Sequence, residues 1–138
     1  MSFQPYLMFD GSCREAFTRY QEIFGGELHV LPMAEVPSDQ PVPAEQAQLV
    51  AHAALQVGDT VLMASDDPTG GYEPPRGFCV SYSTTDLGEA KRVFDALAEG
   101  GTVTMPFGQT FWSPGFGMCT DRFGTPWMVG TENPDAMG

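Results

Sequence analysis

The feature that most constrains the fold of this chain is an internal repeat. Each half of the 138-residue sequence runs in the same order, which is strand, helix, Gly-Gly, strand, loop, strand, turn and strand. Residues 20–26 correspond to residues 94–101 with a shift of one position, and residues 57–63 resemble residues 123–129. Two copies of a βαβββ unit predict an α+β fold with two similar modules.

Local signals place the elements of the first module. Ser12 and Glu15 have the spacing of a capping box, which predicts the start of a helix with one apolar stripe. Gly25-Gly26 predicts its end. The other predicted elements are a strand over residues 4–9, a strand over 27–36, a loop marked by Pro37, Pro41 and Pro43, and a hairpin of strands 49–57 and 60–64 joined at Gly58-Asp59.

The second module shows the same signals after a loop over residues 66–75 that is rich in Asp, Gly and Pro. Asp86 predicts the N-cap of a helix that ends at Gly100-Gly101. The predicted strands are 78–84, 102–107, 115–120 and 126–130. The sequence therefore predicts one domain over 1–138, with module 1 over 3–66, a linker over 67–76, module 2 over 77–132 and a tail over 133–138.

Composition excludes several classes of partner and site. The formal net charge of -12 disfavours nucleic acid and anionic membrane surfaces. The uncharged stretch over residues 100–120 is interrupted by Gly, Pro and polar residues, and the N-terminus does not have the pattern of a secretory signal. Three widely spaced cysteines predict reduced thiols rather than a disulfide framework or a zinc knuckle, so we expect a cytoplasmic protein.

Three segments of the sequence, residues 5–11, 58–66 and 116–128, resemble PhnB-like proteins of the vicinal oxygen chelate superfamily. This superfamily includes glyoxalase I, extradiol dioxygenases and the bleomycin- and fosfomycin-resistance proteins. The resemblance implies a glyoxalase/bleomycin-resistance-like fold, in which two modules form a curled mixed sheet around a small-molecule cavity, commonly within a homodimer.

Metal-binding members of the superfamily hold a divalent ion at four strand positions. In this sequence the resemblance matches those positions to Tyr6, Met63, Val80 and Met128, allowing a slip of one residue. None of these side chains is a good ligand for a hard metal ion. We therefore predict no cofactor, and a divalent metal held by other residues stays as an alternative.

His52 is the candidate catalytic residue or hydrogen-bonding anchor, because it lies within the apolar strand over residues 49–57. The competing interpretation is a core histidine bonded to backbone. His29 lies among alternating strand residues, which favours a solvent-facing side chain.

The uncharged aromatic segment over residues 104–118 has the composition of a ligand-binding wall. Gln109, Thr110, Trp112 and Ser113 are its candidate polar contacts, and a dimer interface is the alternative use of the same aromatics. The full set of predicted ligand-binding residues is Tyr6, Tyr82, Phe107, Gln109, Thr110, Trp112, Phe116, Met118 and Trp127.

Other reactive residues have structural explanations in the sequence. Cys13 lies at a helix start, but packing is the favoured role, and Arg122 lies in a turn that accounts for it. Asp66 and Asp67 are placed in a solvated loop, where we do not expect acid/base chemistry.

Three classes of function remain open from the sequence. The first is a protein that sequesters a small, partly apolar molecule without a permanent metal. The second is an enzyme, either a metal-dependent lyase, isomerase or dioxygenase or a metal-free catalyst centred on His52, and the third is a purely structural role. The name 3-demethylubiquinone-9 3-methyltransferase is attached to PhnB-like proteins, but the sequence has no Gly-rich turn of the kind that holds a methyl donor in a doubly wound sheet.

Overall fold

The computed structural model describes residues 2–37 and 42–132 and confirms the repeat. The chain divides into two compact units, Met1–Glu73 and Pro74–Gly138, and the boundary lies inside the predicted linker. Each unit is a four-stranded mixed sheet with one 12-residue helix, in the order βαβββ. Pro41 and the predicted tail over 133–138 lie outside the described residues.

In the first unit the strand order is β1-β4-β3-β2, with β1 parallel to β4 and the other neighbours antiparallel. In the second unit the order is β5-β8-β7-β6, with the same pattern of directions. The elements of the first unit are β1 (Tyr6–Phe9), α1 (Cys13–Phe24), β2 (Glu27–Pro32), β3 (Val50–Val57) and β4 (Thr60–Asp66). Those of the second are β5 (Val80–Thr84), α2 (Leu87–Ala98), β6 (Thr102–Gly108), β7 (Phe116–Thr120) and β8 (Pro126–Thr131).

The core of each unit lies between its helix and one face of its sheet. In the first unit Phe17 of α1 meets Phe9 of β1 edge to face, with 6.2 Å between ring centroids. Both rings are almost fully buried, and burial of a side chain of this size contributes about 1.5–3 kcal/mol. In the second unit Phe94 of α2 contacts Phe107 at 5.5 Å. The apolar stripes predicted for both helices are thus confirmed as their buried sides.

The start of α1 differs from the predicted capping box. Ser12 makes no side-chain capping bond there, and Asp66, at the end of β4, takes that role. Its Oδ1 accepts from the backbone N–H of Cys13 at 3.0 Å, and its Oδ2 accepts from that of Val50 at 2.9 Å. Asp66 is only 2% exposed, so its predicted place in a solvated loop is wrong. By contrast, the predicted cap of α2 is confirmed, since Asp86 accepts from the backbone N–H of Glu89.

Strand β2 is shorter than predicted and ends at Pro32. A register shift separates Leu31 from Pro32, and a 3-10 helix over Met33–Glu35 follows directly. Proline has no backbone N–H to donate to a neighbouring strand, which explains the end of the ladder at this position. A second 3-10 helix, Ala44–Gln46, precedes β3.

The paired glycines after each helix are packed in equivalent ways. A Cβ atom on Gly26 would lie 2.2 Å from the carbonyl oxygen of Gln56 at the end of β3, and one on Gly101 would lie 2.1 Å from that of Thr120 at the end of β7. The close approach of backbone to backbone therefore requires glycine at both positions.

Each of the two α-helices has 12 residues. Within the part of the chain that the structure describes, no helix is long and apolar enough to cross a membrane.

Candidate functional site

Each sheet has a face opposite its helix, which we call the far face. In the first unit the register places Tyr6 beside Met63, Met63 beside Ala54, and His52 beside Leu31. Side chains at paired positions point to the same side of a sheet. Since Leu7 and Phe9 point toward α1, the alternate residues of β1 lie on the far face. The far face of the first unit includes Tyr6, Met8, Leu31, His52, Ala54, Met63 and Ser65.

Tyr6 and His52 meet on this face. The phenol oxygen of Tyr6 lies 3.4 Å from Nδ1 of His52, a long hydrogen bond, and the ring centroids are 5.9 Å apart. Tyr6 is 45% exposed and His52 is also exposed. The structure thus brings together the candidate catalytic residue and one of the predicted ligand-binding residues, and it does not place His52 in the core.

Apolar side chains surround this polar pair. Met8 and Leu31 remain exposed, so they present apolar surface to solvent on the same face as the polar pair. The hydroxyl of Ser65 donates to the sulfur of Met8 at 3.6 Å. His29 is paired with Ala54 and lies 3.1 Å from the carboxylate of Glu27, with 69% of its side chain exposed. The solvent-facing position expected for His29 is therefore confirmed.

The far face of the second unit carries a row of three methionines. Met105 of β6 is paired with Met118 of β7, and Met118 is paired with Met128 of β8. Each of the three is half-buried. The ring of Phe116 lies on the same face, because a Cβ atom on Gly130, its partner in β8, would be 3.3 Å from that ring. This face is apolar and built from soft, flexible side chains.

Two irregularities in β6 decide which of its side chains reach this face. Val103 is paired with Cys119, so regular pairing would place Thr104 opposite Met118, but Met105 takes that place. A second shift lies between Met105 and Gly108. Such extra residues redirect side chains. Here they place Met105 on the far face and leave Phe107 in contact with Phe94 of α2.

The loop between β6 and β7 presents aromatic rings next to the far face. Trp112 meets Phe116 at 5.3 Å and Phe111 at 4.7 Å, both edge to face, and Phe111 is 96% exposed. The buried hydroxyl of Ser113 holds the loop, since its oxygen lies 2.7 Å from the carbonyl oxygens of both Gly115 and Thr131, either of which can accept its one hydrogen, and it accepts from the backbone N–H of Gly115.

Of the predicted polar contacts in this loop, Thr110 and Ser113 bond each other, whereas Gln109 faces solvent. Thr110 accepts from the backbone N–H of Ser113 at 3.1 Å, so both residues have structural partners within the loop. The side chain of Gln109 is exposed.

Three predicted ligand-binding residues lie on the helix-facing side of the second sheet. Tyr82 is paired with Val129, and burial raises the pKa of its phenol, as does the nearby Glu89 of α2. Trp127 is 2% exposed, and its indole N–H donates to Asp121 at 2.8 Å. Phe107, which contacts Phe94, lies on this same side. The sheet therefore separates these three residues from Phe116 and Met118, which lie on the far face, and from Trp112, which contacts Phe116.

The four positions matched to a metal site do not offer a suitable set of ligands. Val80 is paired with the buried Trp127, so Ser81, paired with Met128, lies on the far face instead. The first sheet contributes Tyr6 and Met63. Taken sheet by sheet, neither the phenol and thioether of the first nor the hydroxyl and thioether of the second suits a hard divalent ion. Within residues 2–37 and 42–132, no group of three or more His, Cys, Asp or Glu side chains is placed to hold a metal ion.

The cysteines and the β7-β8 turn have structural roles. Burial raises the pKa of Cys13 to about 12 and that of Cys119 to about 11, which opposes nucleophilic chemistry at either thiol. Asp121 accepts from the backbone N–H groups of Phe123 and Thr125 and so stabilises the turn. The guanidinium of Arg122 lies 4.8 Å from the centroid of the Phe123 ring.

Met8 and Met105 lie on the far faces, but sequence reasoning did not single them out. Met8 follows from simple alternation with Leu7 and Phe9 in β1. Met105 depends on the irregular pairing of β6, which no residue pattern in the sequence indicates.

Comparisons with known proteins agree with this architecture. The family model described as 3-demethylubiquinone-9 3-methyltransferase matches residues 1–130. Protein YjdN of Escherichia coli K12 is 35% identical over 138 residues, with 94% of each chain covered. The crystal structure of PA1353 from Pseudomonas aeruginosa is 48% identical, with a TM-score of 0.86 over 96% of this chain and 98% of that one.

More distant structures show the fold alone. A Bacillus cereus PhnB protein, described as a 3-demethylubiquinone-9 3-methyltransferase, has 23% identity and a TM-score of 0.72 over 95% of this chain and 99% of that one. Glyoxylase/bleomycin-resistance and fosfomycin-resistance proteins share the fold at 15% and 7% identity.

Proposed function

This chain belongs to the 3-demethylubiquinone-9 3-methyltransferase family, and from that premise we propose that it binds a small, partly apolar molecule on the far face of its first sheet. The observation that carries the proposal is the exposed Tyr6-His52 pair among the apolar side chains of the first far face. Small-molecule sites combine apolar walls with a few polar groups that orient the ligand.

The chemistry of the pair defines what it would hold. A phenol and an imidazole each donate and accept hydrogen bonds, so together they suit a hydroxyl or carbonyl group on the ligand. The net charge of -12 disfavours strongly anionic ligands. We expect a neutral or cationic molecule with one polar end toward Tyr6 and His52, and an apolar body toward Met8 and Met63.

Binding without the usual divalent metal is part of the proposal. Tyr6 and Met63, which are paired on the first far face, would favour organic contacts over coordination of a hard ion. The proposed activity is therefore retention of the ligand rather than turnover.

The test is a screen of neutral fragments, followed by measurement of Kd for the best hit. Tyr6→Phe and His52→Ala should each weaken binding by about 2-fold to 12-fold, the range for one lost hydrogen bond of about 0.5–1.5 kcal/mol. His29→Ala is the matched control, because it removes the other histidine of the same face and should leave Kd within about 2-fold. Equal effects at both histidines, or none at either, would contradict the proposal.

A second candidate is an enzyme of the lyase, isomerase or dioxygenase type. The observation in its favour is His52 itself, an exposed imidazole beside a phenol and thus a possible general base. Metal content of untagged protein, followed by titration with nickel, zinc, iron and manganese, separates the candidates. About one metal per chain, lost in His52→Ala, would overturn the metal-free proposal. Failure of all four ions to bind supports it.

We propose further that the protein is a homodimer in the cytoplasm. The contact between Phe111 and Trp112 supports self-association, because both rings are exposed and aromatic side chains are enriched in the buried parts of interfaces. Light scattering should give a mass about twice the 14.9 kDa of the chain. Phe111→Ser should shift this mass toward that of one chain. A mass of one chain for the parent protein would contradict the proposal.

A further inference from the structure

We infer that the far face of the second sheet recognises a planar aromatic ring that is neutral or positively charged. This inference goes beyond the proposed function, because it concerns the second sheet by itself and names the chemical class of the ligand that this sheet would take. Its starting point is the row formed by Met105, Met118 and Met128 on three adjacent strands. Neighbouring strands are about 4.8 Å apart, so the row extends over about 10 Å, a length suited to two fused rings.

Thioether sulfurs favour aromatic partners over saturated ones. A sulfur about 5 Å from an aromatic ring contributes about 0.3–1.5 kcal/mol beyond ordinary apolar contact. The three methionines are half-buried, so each side chain keeps a surface that a ligand can reach. Three such groups in a line therefore form a surface that discriminates flat aromatic molecules from saturated molecules of similar size.

The irregular pairing of β6 makes this row. With regular pairing, Thr104 rather than Met105 would be opposite Met118, and the third thioether would be replaced by a hydroxyl. An extra residue in a strand costs ladder hydrogen bonds, and such bulges are common beside binding sites. The row is thus a product of the local backbone geometry as well as of methionine content.

Aromatic side chains extend the surface at one end. Phe116 lies on the same face, and Trp112 meets it edge to face at 5.3 Å. Trp112 lies in a loop that is anchored by the buried hydroxyl of Ser113, which is within hydrogen-bond distance of the carbonyl groups of Gly115 and Thr131, so the indole is presented on an ordered support. A ring above the methionine row would have Phe116 and Trp112 as aromatic neighbours.

The charge of the protein limits which aromatic ligands this face would favour. Residues 100–120 contain no Asp, Glu, Lys or Arg, so β6, β7 and the loop between them add no charged side chain to this face. An anionic ligand would enter the field of a chain of net charge -12 without a cation from this segment. A cation would be favoured both by that field and by the face of Trp112.

The test compares four probes on one skeleton, namely 2-naphthalenemethanol, its fully saturated decahydro counterpart, 2-naphthoate and 2-naphthylmethylammonium. Calorimetry gives Kd for the parent protein and for Met118→Leu and Met128→Leu, which keep apolar volume but remove sulfur. Met33→Leu, in the 3-10 helix of the first unit, is the matched control.

The alcohol should bind more tightly than its saturated counterpart, and the carboxylate should be the weakest of the three naphthalene probes. Met118→Leu should weaken binding of the alcohol by about 2-fold to 12-fold and leave the saturated probe unchanged. Equal binding of aromatic and saturated probes, unaffected by Met118→Leu, would overturn the aromatic class while leaving the proposed function in place. If no probe binds, the inference falls, and the proposed function is decided separately by the fragment comparison at His52 and His29.

Discussion

Replacement of Asp66 by asparagine tests how the first unit is held together. The two carboxylate oxygens accept from the backbone N–H groups of Cys13 and Val50, which begin α1 and β3. Asparagine keeps one acceptor and turns an NH₂ group toward the other N–H. One charge-assisted bond, worth about 1.5–3 kcal/mol, is lost, and a buried donor is left unsatisfied at a further cost of about 1–3 kcal/mol. We expect Asp66→Asn to lower the free energy of unfolding by about 2.5–6 kcal/mol, the sum of these two contributions.

Urea unfolding followed by far-UV circular dichroism measures this change. A slope of about 1–3 kcal/mol/M converts it into a clear decrease in the midpoint. Asp67→Asn is the control, because Asp67 is the adjacent residue, and its carboxylate bonds Thr69 at the surface. A change below about 0.5 kcal/mol for Asp66→Asn, or an equal change for both variants, would refute the role given to Asp66.

Three more predictions follow from burial and backbone geometry. Gly25→Ala should cost about 1–3 kcal/mol because φ 75° and ψ -156° lie in a region that is essentially confined to glycine. Gly26→Ala should cost more in the same urea assay, because its Cβ would also meet a carbonyl oxygen at 2.2 Å. Burial raises the pKa of Cys13 from 9.0 to about 12, so the unfolded thiol ionises first, and stability should fall between pH 9 and 12, less steeply in Cys13→Ala. Trp127→Phe removes a buried indole N–H donor, so it should lower the unfolding midpoint but leave Kd of the naphthalene probes unchanged.

Much of the fold was predictable because the two modules repeat strong local signals. Both helices lie where the apolar stripes predict, and Gly26 and Gly101 occupy equivalent places against the ends of β3 and β7. The cap of α2 is local, since Asp86 bonds a residue three positions away, and the sequence indicates it. The cap of α1 comes from Asp66, 53 positions from Cys13, and local spacing gives no information on such a contact.

The candidate site was predictable only in part, for two physical reasons. The side of a strand on which a residue lies depends on register, and a shift of one residue exchanges the two sides. Tyr82 and Trp127 have the composition of ligand contacts but lie toward the helix. The contact between Tyr6 and His52 joins β1 and β3, which are separated by β4 in the sheet, so it follows from the fold rather than from sequence spacing.

The most direct test of the central claim is a spectrum of protein labelled with ¹³C at the methionine methyl groups, recorded during titration with the best neutral fragment. Methionines of the far faces are the reporters, and Met33, in the 3-10 helix after β2, is the internal reference. We expect saturable shifts at Met8 and Met63, with Met33 unchanged, and a titration midpoint about 2-fold to 12-fold higher in His52→Ala. Saturable binding that moves Met33 but leaves the far-face methyl groups unchanged would contradict it.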